Sequence, residues 1–139
     1  MIRRATEAEV EEVVATFEPS FALFDFLPEV HTHEENLAWF ANALREGEGY
    51  ILGRGFALLS GDELSHLFVH PDAIGTGIGH ALFEHVKARR PGGFDFWVFQ
   101  QNDLARRFYE AHGAIAVEFT DGSTNEEKTP DVRYRWTPS

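Results

Sequence analysis

Apolar residues recur at helical spacing in two early stretches, each behind a start signal. Val10, Val13, Val14 and Phe17 follow the capping box Thr6-Glu7-Ala8-Glu9, which predicts a helix over 6–17 limited by Pro19. Leu37, Trp39, Phe40 and Leu44 follow a second box, Thr32-His33-Glu34-Glu35, and predict a helix that ends near Glu46 with Gly47 as its stop. Between them Phe21, Leu23, Phe24, Phe26 and Leu27 form a dense apolar cluster, read either as helix beyond a kink or as a loop lining a pocket. Residues 1–4 read as a short first strand. After Gly47 the pattern turns to strands over 50–52 and 56–59, separated by Gly53-Arg54-Gly55. Ser60-Gly61-Asp62 then turns into a third strand, whose run Leu64, Leu67, Phe68, Val69 stops at His70-Pro71.

The stretch 62–82 organises the rest. Its strand runs into Gly75, Gly77 and Gly79, and a helix opens near Ile78 with Leu82, Phe83 and Val86 on one side. Glycines let the backbone approach a bulky group, and the amides of a helix's first turn favour an anion. Two known phosphate loops fail here. A P-loop needs Lys and Ser or Thr after its last glycine, where His80 and Ala81 stand; the dinucleotide fingerprint needs a glycine at His80. Beyond the stop at Pro91-Gly92-Gly93, residues 94–99 are apolar on both faces and read as a central strand. A helix over 102–112 has Asn102 as its N-cap and Gly113 as its stop; strands over 114–119 and 132–136 flank a polar loop, 120–130. With no repeat or linker, residues 1–139 read as one α/β domain.

Charge narrows the partners. The net charge is −11, and −9 of it lies in residues 1–63. Nucleic acid is excluded as a partner, since phosphate neutralisation needs a basic face. The acidic first half suits a cationic ligand, although an acid excess also simply confers solubility. There is no cysteine, which removes disulfides, thiolate metal sites and a covalent thiol mechanism. No apolar run reaches the length of a membrane span, and the first ten residues lack a signal-peptide core, so a cytoplasmic protein without a membrane partner is expected.

The segment 102–113, NDLARRFYEAHG, has the form N-x-x-A-x-x-F-Y-E-x-x-G. With Val69-His70-Pro71 and the Gly75–Gly79 turn upstream, it resembles the GCN5-related N-acetyltransferase (GNAT) superfamily. The resemblance implies an α/β (α+β) fold, with a mixed, mostly antiparallel sheet splayed open after the strand ending at Val69 and about four flanking helices. It implies acetyl-CoA as cofactor, held along Leu67, Phe68 and Val69, with its pyrophosphate on the backbone of Ile74, Gly75, Thr76, Gly77, Ile78 and Gly79, next to His80. The family usually has Gln or Arg where this chain has Ile74, so the amides act alone and Ile74 is expected to pack under the turn.

Moving an acetyl group to an amine requires deprotonating the amine, stabilising an oxyanion and protonating the leaving thiolate. By resemblance Tyr109 is the general acid, and a phenol with a pKa near ~10 keeps its proton at neutral pH. A core tyrosine beside Phe108 is the other reading. Strand alternation puts Glu63, Ser65, Leu67 and Val69 on one face and Leu64, His66 and Phe68 on the other. The resemblance implies a base six or four residues before Val69, where Glu63 and Ser65 stand. Glu63 is the candidate base, acting through a water that Ser65 holds; alternatively Glu63 is a solvated turn residue. Oxyanion donors would be strand amides near Phe68 and Val69. Asn102 resembles the residue that bonds the pantetheine arm, or is only a cap. Arg106 and Arg107 are candidates for the adenosine phosphates. The resemblance implies an acceptor site built by the first two helices and the loop before the last strand, which here would draw on Phe24, Phe26, Glu29 and His31 and on the 121–131 loop.

The leading reading is an acetyl-CoA-dependent N-acetyltransferase working by direct attack of a primary amine, on a small-molecule or protein acceptor that is cationic before reaction, with a homodimer allowed. A non-catalytic acyl-CoA-binding module is the alternative. A third reading, a metal site at His31 and His33, competes with their place at a helix N-cap, and no metal is expected.

Overall fold

A computed structural model describes residues 1–24 and 31–138. They form two compact units, 1–89 and 90–139. The first holds β1 (Arg3–Ala5), α1 (Val10–Phe21), α2 (His33–Glu46), β2 (Glu48–Leu52), β3 (Gly55–Ser60), β4 (Glu63–Val69) and α3 (Ile78–Arg89). The second holds β5 (Phe94–Phe99), α4 (Asp103–Ala111), β6 (Ile115–Phe119) and β7 (Asp131–Trp136). Seven strands and four helices, with the strands mostly antiparallel, make the expected α/β class.

In the first unit β1 to β4 form an antiparallel meander. Period-two alternation sends successive side chains to different layers. Ile51, Phe56 and Leu58 join Val13 and Val14 of α1 and Phe40 and Leu44 of α2 in one core. Their neighbours face α3: Tyr50 packs on His85, with ring centroids 4.4 Å apart. Gly55 is needed on that side, because a Cβ there would lie 2.5 Å from Ile78 Cγ2. Leu82, Phe83 and Val86 of α3 are completely buried. Each such side chain contributes about 1.5–3 kcal/mol by leaving water.

Both capping boxes form, Thr6 with Glu9 and Thr32 with Glu35. The first opens a 3₁₀ turn, Glu7–Glu9, before α1 proper. Pro19 does not limit α1, which runs through it to Phe21. The N–H that proline lacks would have met the carbonyl of Ala15, on the exposed side of the helix where water can substitute. Ser20 Oγ lies 2.8 Å from the Thr16 carbonyl and 3.0 Å from the Val69 carbonyl, tying the end of α1 to the end of β4. The cluster over 21–27 is helix only to Phe21; its residues 25–27 lie outside the described residues.

In the second unit β7 lies between β5 and β6, antiparallel to both. Phe94, Phe96 and Val98 are buried with Val132, Tyr134 and Tyr109. Trp97 is 42% exposed, so β5 is not apolar and buried on both faces as its composition suggested. Its polar face instead carries a charge ladder, Arg133 bridging Asp95 at 2.9 Å and Glu118 at 3.0 Å, with Arg135 also on Asp95.

Candidate active site

The glycine turn is an open arch. Gly75 and Gly77 have φ of +86° and +89°, a region that side-chain-bearing residues avoid, and a Cβ on either would meet only open space. Backbone conformation, not crowding, therefore requires glycine there. The first bond of α3 runs from the Ala81 N–H to the Gly77 carbonyl at 3.0 Å, so the amides of Ile78 and Gly79 precede the intrahelical ladder. Thr76 tightens the arch by donating its hydroxyl to the Ala73 carbonyl at 2.5 Å. Upstream, the Asp72 amide donates to His70 Nδ1 at 3.1 Å and shapes the 3₁₀ turn Pro71–Ala73. Ile74 does not pack under the turn: it is 53% exposed, and the small Ala73 is the buried residue. The arch presents bare peptide nitrogens at a helix N-terminus to an open side, the arrangement a diphosphate requires.

The β4 strand departs from simple alternation. Leu58 of β3 pairs with His66, but the next residue, Leu59, pairs with Leu64, so Ser65 is an extra residue in a β-bulge. Its hydroxyl donates to the Leu58 carbonyl at 3.1 Å. The bulge resets the faces. Glu63 and Ser65 share a side with His66 and Phe68, not with Leu67 and Val69. His66 packs on Phe17, Trp39, Phe40 and Phe68, all with centroids within 6.0 Å. This burial among rings pushes the His66 pKa down to about 4, so the imidazole is neutral at physiological pH.

Beside the bulge lies a cavity of about 260 Å³, lined by Trp39, Asn42 and Glu46 of α2, Ser60 at the end of β3, and Glu63 and Ser65. Residues 39, 42, 43 and 46 are one face of a helix, which is why α2 offers an indole, an amide and a carboxylate together. Two carboxylates and the 51% exposed Trp39 suit a cation. Helical spacing places Trp39, Asn42 and Glu46 together in the sequence, yet only the register of β3 and β4 reveals that they share a wall with Glu63. His66 was hidden because alternation assigned it to the opposite face.

In the second unit Asn102 caps α4, accepting from the Ala105 amide at 3.2 Å. Two turns on, Tyr109 is buried, its ring 4.5 Å from Phe96 and 5.3 Å from Phe108. Burial raises its pKa far above the ordinary phenol value, so the hydroxyl keeps its proton. Arg106 donates to the Tyr134 hydroxyl at 3.0 Å, which donates to Glu110 at 2.6 Å, and its guanidinium lies 5.5 Å from the Phe119 ring centre. Arg106 is thus an integral part of this unit's side-chain network. Arg107 is exposed, its Nε 3.4 Å from the Asp103 carbonyl.

Of the acceptor residues, Phe24 packs edge-on to Phe21 at 6.0 Å, and His31 Nδ1 lies 3.9 Å from Glu35. Phe26 and Glu29 lie outside the described residues. His33 Nδ1 is 2.9 Å from Glu18, whose carboxylate also accepts from Asn36 at 2.9 Å. That contact joins α1 to the first turn of α2.

A family model described as an acetyltransferase (GNAT) domain matches residues 5–137, running through both units. The peptidyl-lysine N-acetyltransferase YjaB of Escherichia coli (strain K12) is 36% identical over 123 residues, 81% of this chain and 80% of that protein. The peptidyl-lysine N-acetyltransferase YiaC of the same organism is 38% identical over 84 residues, 58% of this chain and 56% of that one. The solution structure of apo YjaB from Escherichia coli matches with a TM-score of 0.78 at 27% identity, covering 100% of this chain and 98% of that one. The ribosomal-protein-S18-alanine N-acetyltransferase from Escherichia coli shares the fold, with a TM-score of 0.75 at 16% identity over 100% and 95% of the two chains. The chain belongs to the GNAT family and is an acetyl-CoA-dependent N-acetyltransferase.

Proposed function

We propose that this enzyme acetylates the side-chain amine of lysine in a peptide or protein, by direct attack within a ternary complex. The observation that carries this is the cavity at the β4 bulge. At about 260 Å³ it lies below the roughly 300–1,000 Å³ range of drug-sized ligand sites. It therefore suits one long cationic side chain and not an aminoglycoside-sized acceptor. The peptidyl-lysine activity in the names of YjaB and YiaC supports the same class.

Bound acetyl-CoA supplies the acetyl group as a thioester. The residues 74–79, with His80 beside them, hold its pyrophosphate through backbone amides, while Asn102 and Arg106 are assigned to the pantetheine arm and the adenosine phosphates. The lysine ammonium enters the cavity along Trp39, with Glu46 and Glu63 balancing its charge. Glu63 takes its proton through a water held by Ser65. The neutral amine would then bond to the acyl carbon as the carbon–sulfur bond breaks, and the second proton lost from nitrogen would replace the one that the Tyr109 phenol gives up. The His70 amide donates to the Arg54 carbonyl at 2.8 Å, so the Phe68 amide faces β3 while those of Leu67 and Val69 face away. Those two are assigned to negative charge on the acyl oxygen, and Tyr109 is assigned to give its proton to the leaving sulfur. Phe24, Phe26, Glu29 and His31 are assigned to the peptide around the lysine. We place the reaction in the cytoplasm; no helix among the described residues is long and apolar enough to cross a membrane.

The test is thiol release from acetyl-CoA with a panel of lysine peptides, N-terminally acetylated so that only side chains react, beside aminoglycosides and small diamines. Turnover on lysine peptides that falls in Glu63→Gln is expected. Turnover confined to small amines would reject the peptide class, and cofactor binding without turnover on any amine would favour a binding module.

A further inference from the structure

The neutral imidazole at the bulge has no role in the mechanism above, and packing alone does not explain it. Its neighbours Phe17, Trp39, Phe40 and Phe68 are all rings, with centroids 5.1–6.0 Å away. A phenylalanine would satisfy that enclosure without burying polar nitrogens, which costs free energy unless they are hydrogen-bonded. One nitrogen has a partner in the cavity wall: His66 Nδ1 lies 3.2 Å from Ser65 Oγ. The same Oγ lies 3.1 Å from the Leu58 carbonyl. We propose that His66 is a positioning residue for acetyl transfer: it fixes the Ser65 hydroxyl so that this group faces the lysine-binding cavity only as a hydrogen-bond acceptor.

The argument is a count of protons. Ser65 has one hydroxyl hydrogen and two lone pairs. That hydrogen goes to the Leu58 carbonyl, so Nδ1 carries a hydrogen and donates it to Oγ. The hydroxyl hydrogen stays within the protein, and one lone pair remains for an ammonium or water in the cavity. Glu63, on the same wall, is then the proton acceptor, with Ser65 orienting what it deprotonates. His66 itself is a poor base for this task. A group protonating near 4 is more than six decades weaker than a lysine amine near ~10.4. Its neutrality serves the site in another way, since an imidazolium would repel the incoming cation. The charged groups on this wall are then Glu46 of α2 and Glu63 of β4, both carboxylates.

This inference rests on the lysine reading, and its test separates the two. Steady-state kinetics on a lysine peptide are compared for wild type, His66→Phe, His66→Asn, Ser65→Ala and the Ser65→Ala/His66→Phe pair. Losing one hydrogen bond is expected to raise KM for the peptide about fivefold in His66→Phe, with acetyl-CoA affinity and thermal midpoint unchanged. His66→Asn, whose amide can stand where Nδ1 was, is expected to restore most of it. The double variant is expected to be no worse than Ser65→Ala alone, because His66 acts only through the hydroxyl that Ser65→Ala already removes. Additive losses, or wild-type KM in His66→Phe, would overturn the proposal. Should the His66 variants fail to fold, the ¹⁵N resonance of His66 Nδ1 decides: it moves in Ser65→Ala if the contact exists, and an unmoved resonance refutes it. If wild type acetylates no lysine peptide, the lysine reading fails, while that resonance still reports on the contact.

Discussion

The glycine arch and helix α4 carry the two halves of the family's signature, and they work in opposite ways. The arch acts through its backbone: Gly75 and Gly77 point no side chain anywhere and have nothing within 4 Å of a would-be Cβ. These two glycines therefore do no packing, and nothing structural but the backbone conformation of the turn accounts for them. Helix α4 acts through side chains that also hold its unit together. Tyr109 is packed on Phe96, Arg106 bonds Tyr134, and Asn102 caps the helix. Each of those residues has a structural reason to be there before any catalytic one is invoked. A sequence motif whose members are structurally idle is thus stronger evidence for function than one whose members are structurally employed. Substitutions that remove one role and spare the other sharpen the contrast.

The largest effect is expected at Tyr109. Tyr109→Phe keeps the ring on Phe96 and removes only the hydroxyl, so a general acid would cost about 10²-fold or more in kcat. Acetyl-CoA affinity and the thermal midpoint are expected to change little. Because burial raises the Tyr109 pKa, wild-type activity is expected to show no loss attributable to this phenol below pH ~10. Unchanged kcat would reduce Tyr109 to a core residue.

Next in size is a pH effect at His66. Its folded pKa, about 4, lies below the ordinary 6.5, so the unfolded chain binds the extra proton between those values. Stability from this group is complete above pH 6.5 and lost as pH falls toward 4. The loss is about 2 kcal/mol by pH ~5 and at most about 3 kcal/mol below the folded pKa, upper bounds given the ring's residual exposure. Denaturant titrations across that window are expected to show a shallower pH slope in His66→Phe than in wild type. Parallel slopes would mean that His66 titrates normally.

The arch is tested by a matched pair. Gly77 and Gly61 both have positive φ, +89° and +60°, and both face open space. Alanine at either is expected to cost about 1 kcal/mol or somewhat more through backbone strain. Only Gly77→Ala is expected to weaken acetyl-CoA binding, by about tenfold in calorimetry, since Gly61 lies in the β3–β4 turn. Equal binding in both variants would count against the arch.

Much of this was legible in the residues. Helix starts were announced by capping boxes that form as read, and Gly47 and Gly113 follow the helices they were expected to stop. Legibility failed where a local rule met a tertiary exception. Pro19 was expected to end α1, but it sits in the last turn, where one missing bond is tolerated. Ser65 was placed with Leu67 and Val69 by alternation, and one extra residue in β4 put it with His66 instead. A bulge leaves no composition signal in Leu64-Ser65-His66. Trp97, counted toward a strand read as apolar on both faces, sits on the charged face of its strand, where Asp95, Arg133 and Arg135 occupy the positions around it. Single residues on a strand report their face only when the register is already known.

The smallest effect, and the one that most directly separates the two kinds of motif, is expected at Asn102. Its Oδ1 accepts from the Ala105 amide at 3.2 Å, a cap whose loss in Asn102→Ala should cost about 1 kcal/mol. Asn102→Asp keeps an oxygen acceptor at the same place and adds a charge favoured at a helix N-terminus, so its thermal midpoint should equal or exceed that of wild type. What Asp cannot supply is the amide N–H₂, the group available to donate to a pantetheine carbonyl. If Asn102 has both roles, Asn102→Asp is as stable as wild type yet binds acetyl-CoA severalfold more weakly, while Asn102→Ala loses both. If Asn102→Asp binds acetyl-CoA as wild type does, the residue is a cap alone. The asparagine at the head of the motif would then belong with Phe96 and Tyr134, among the groups that build the unit and leave the chemistry to others.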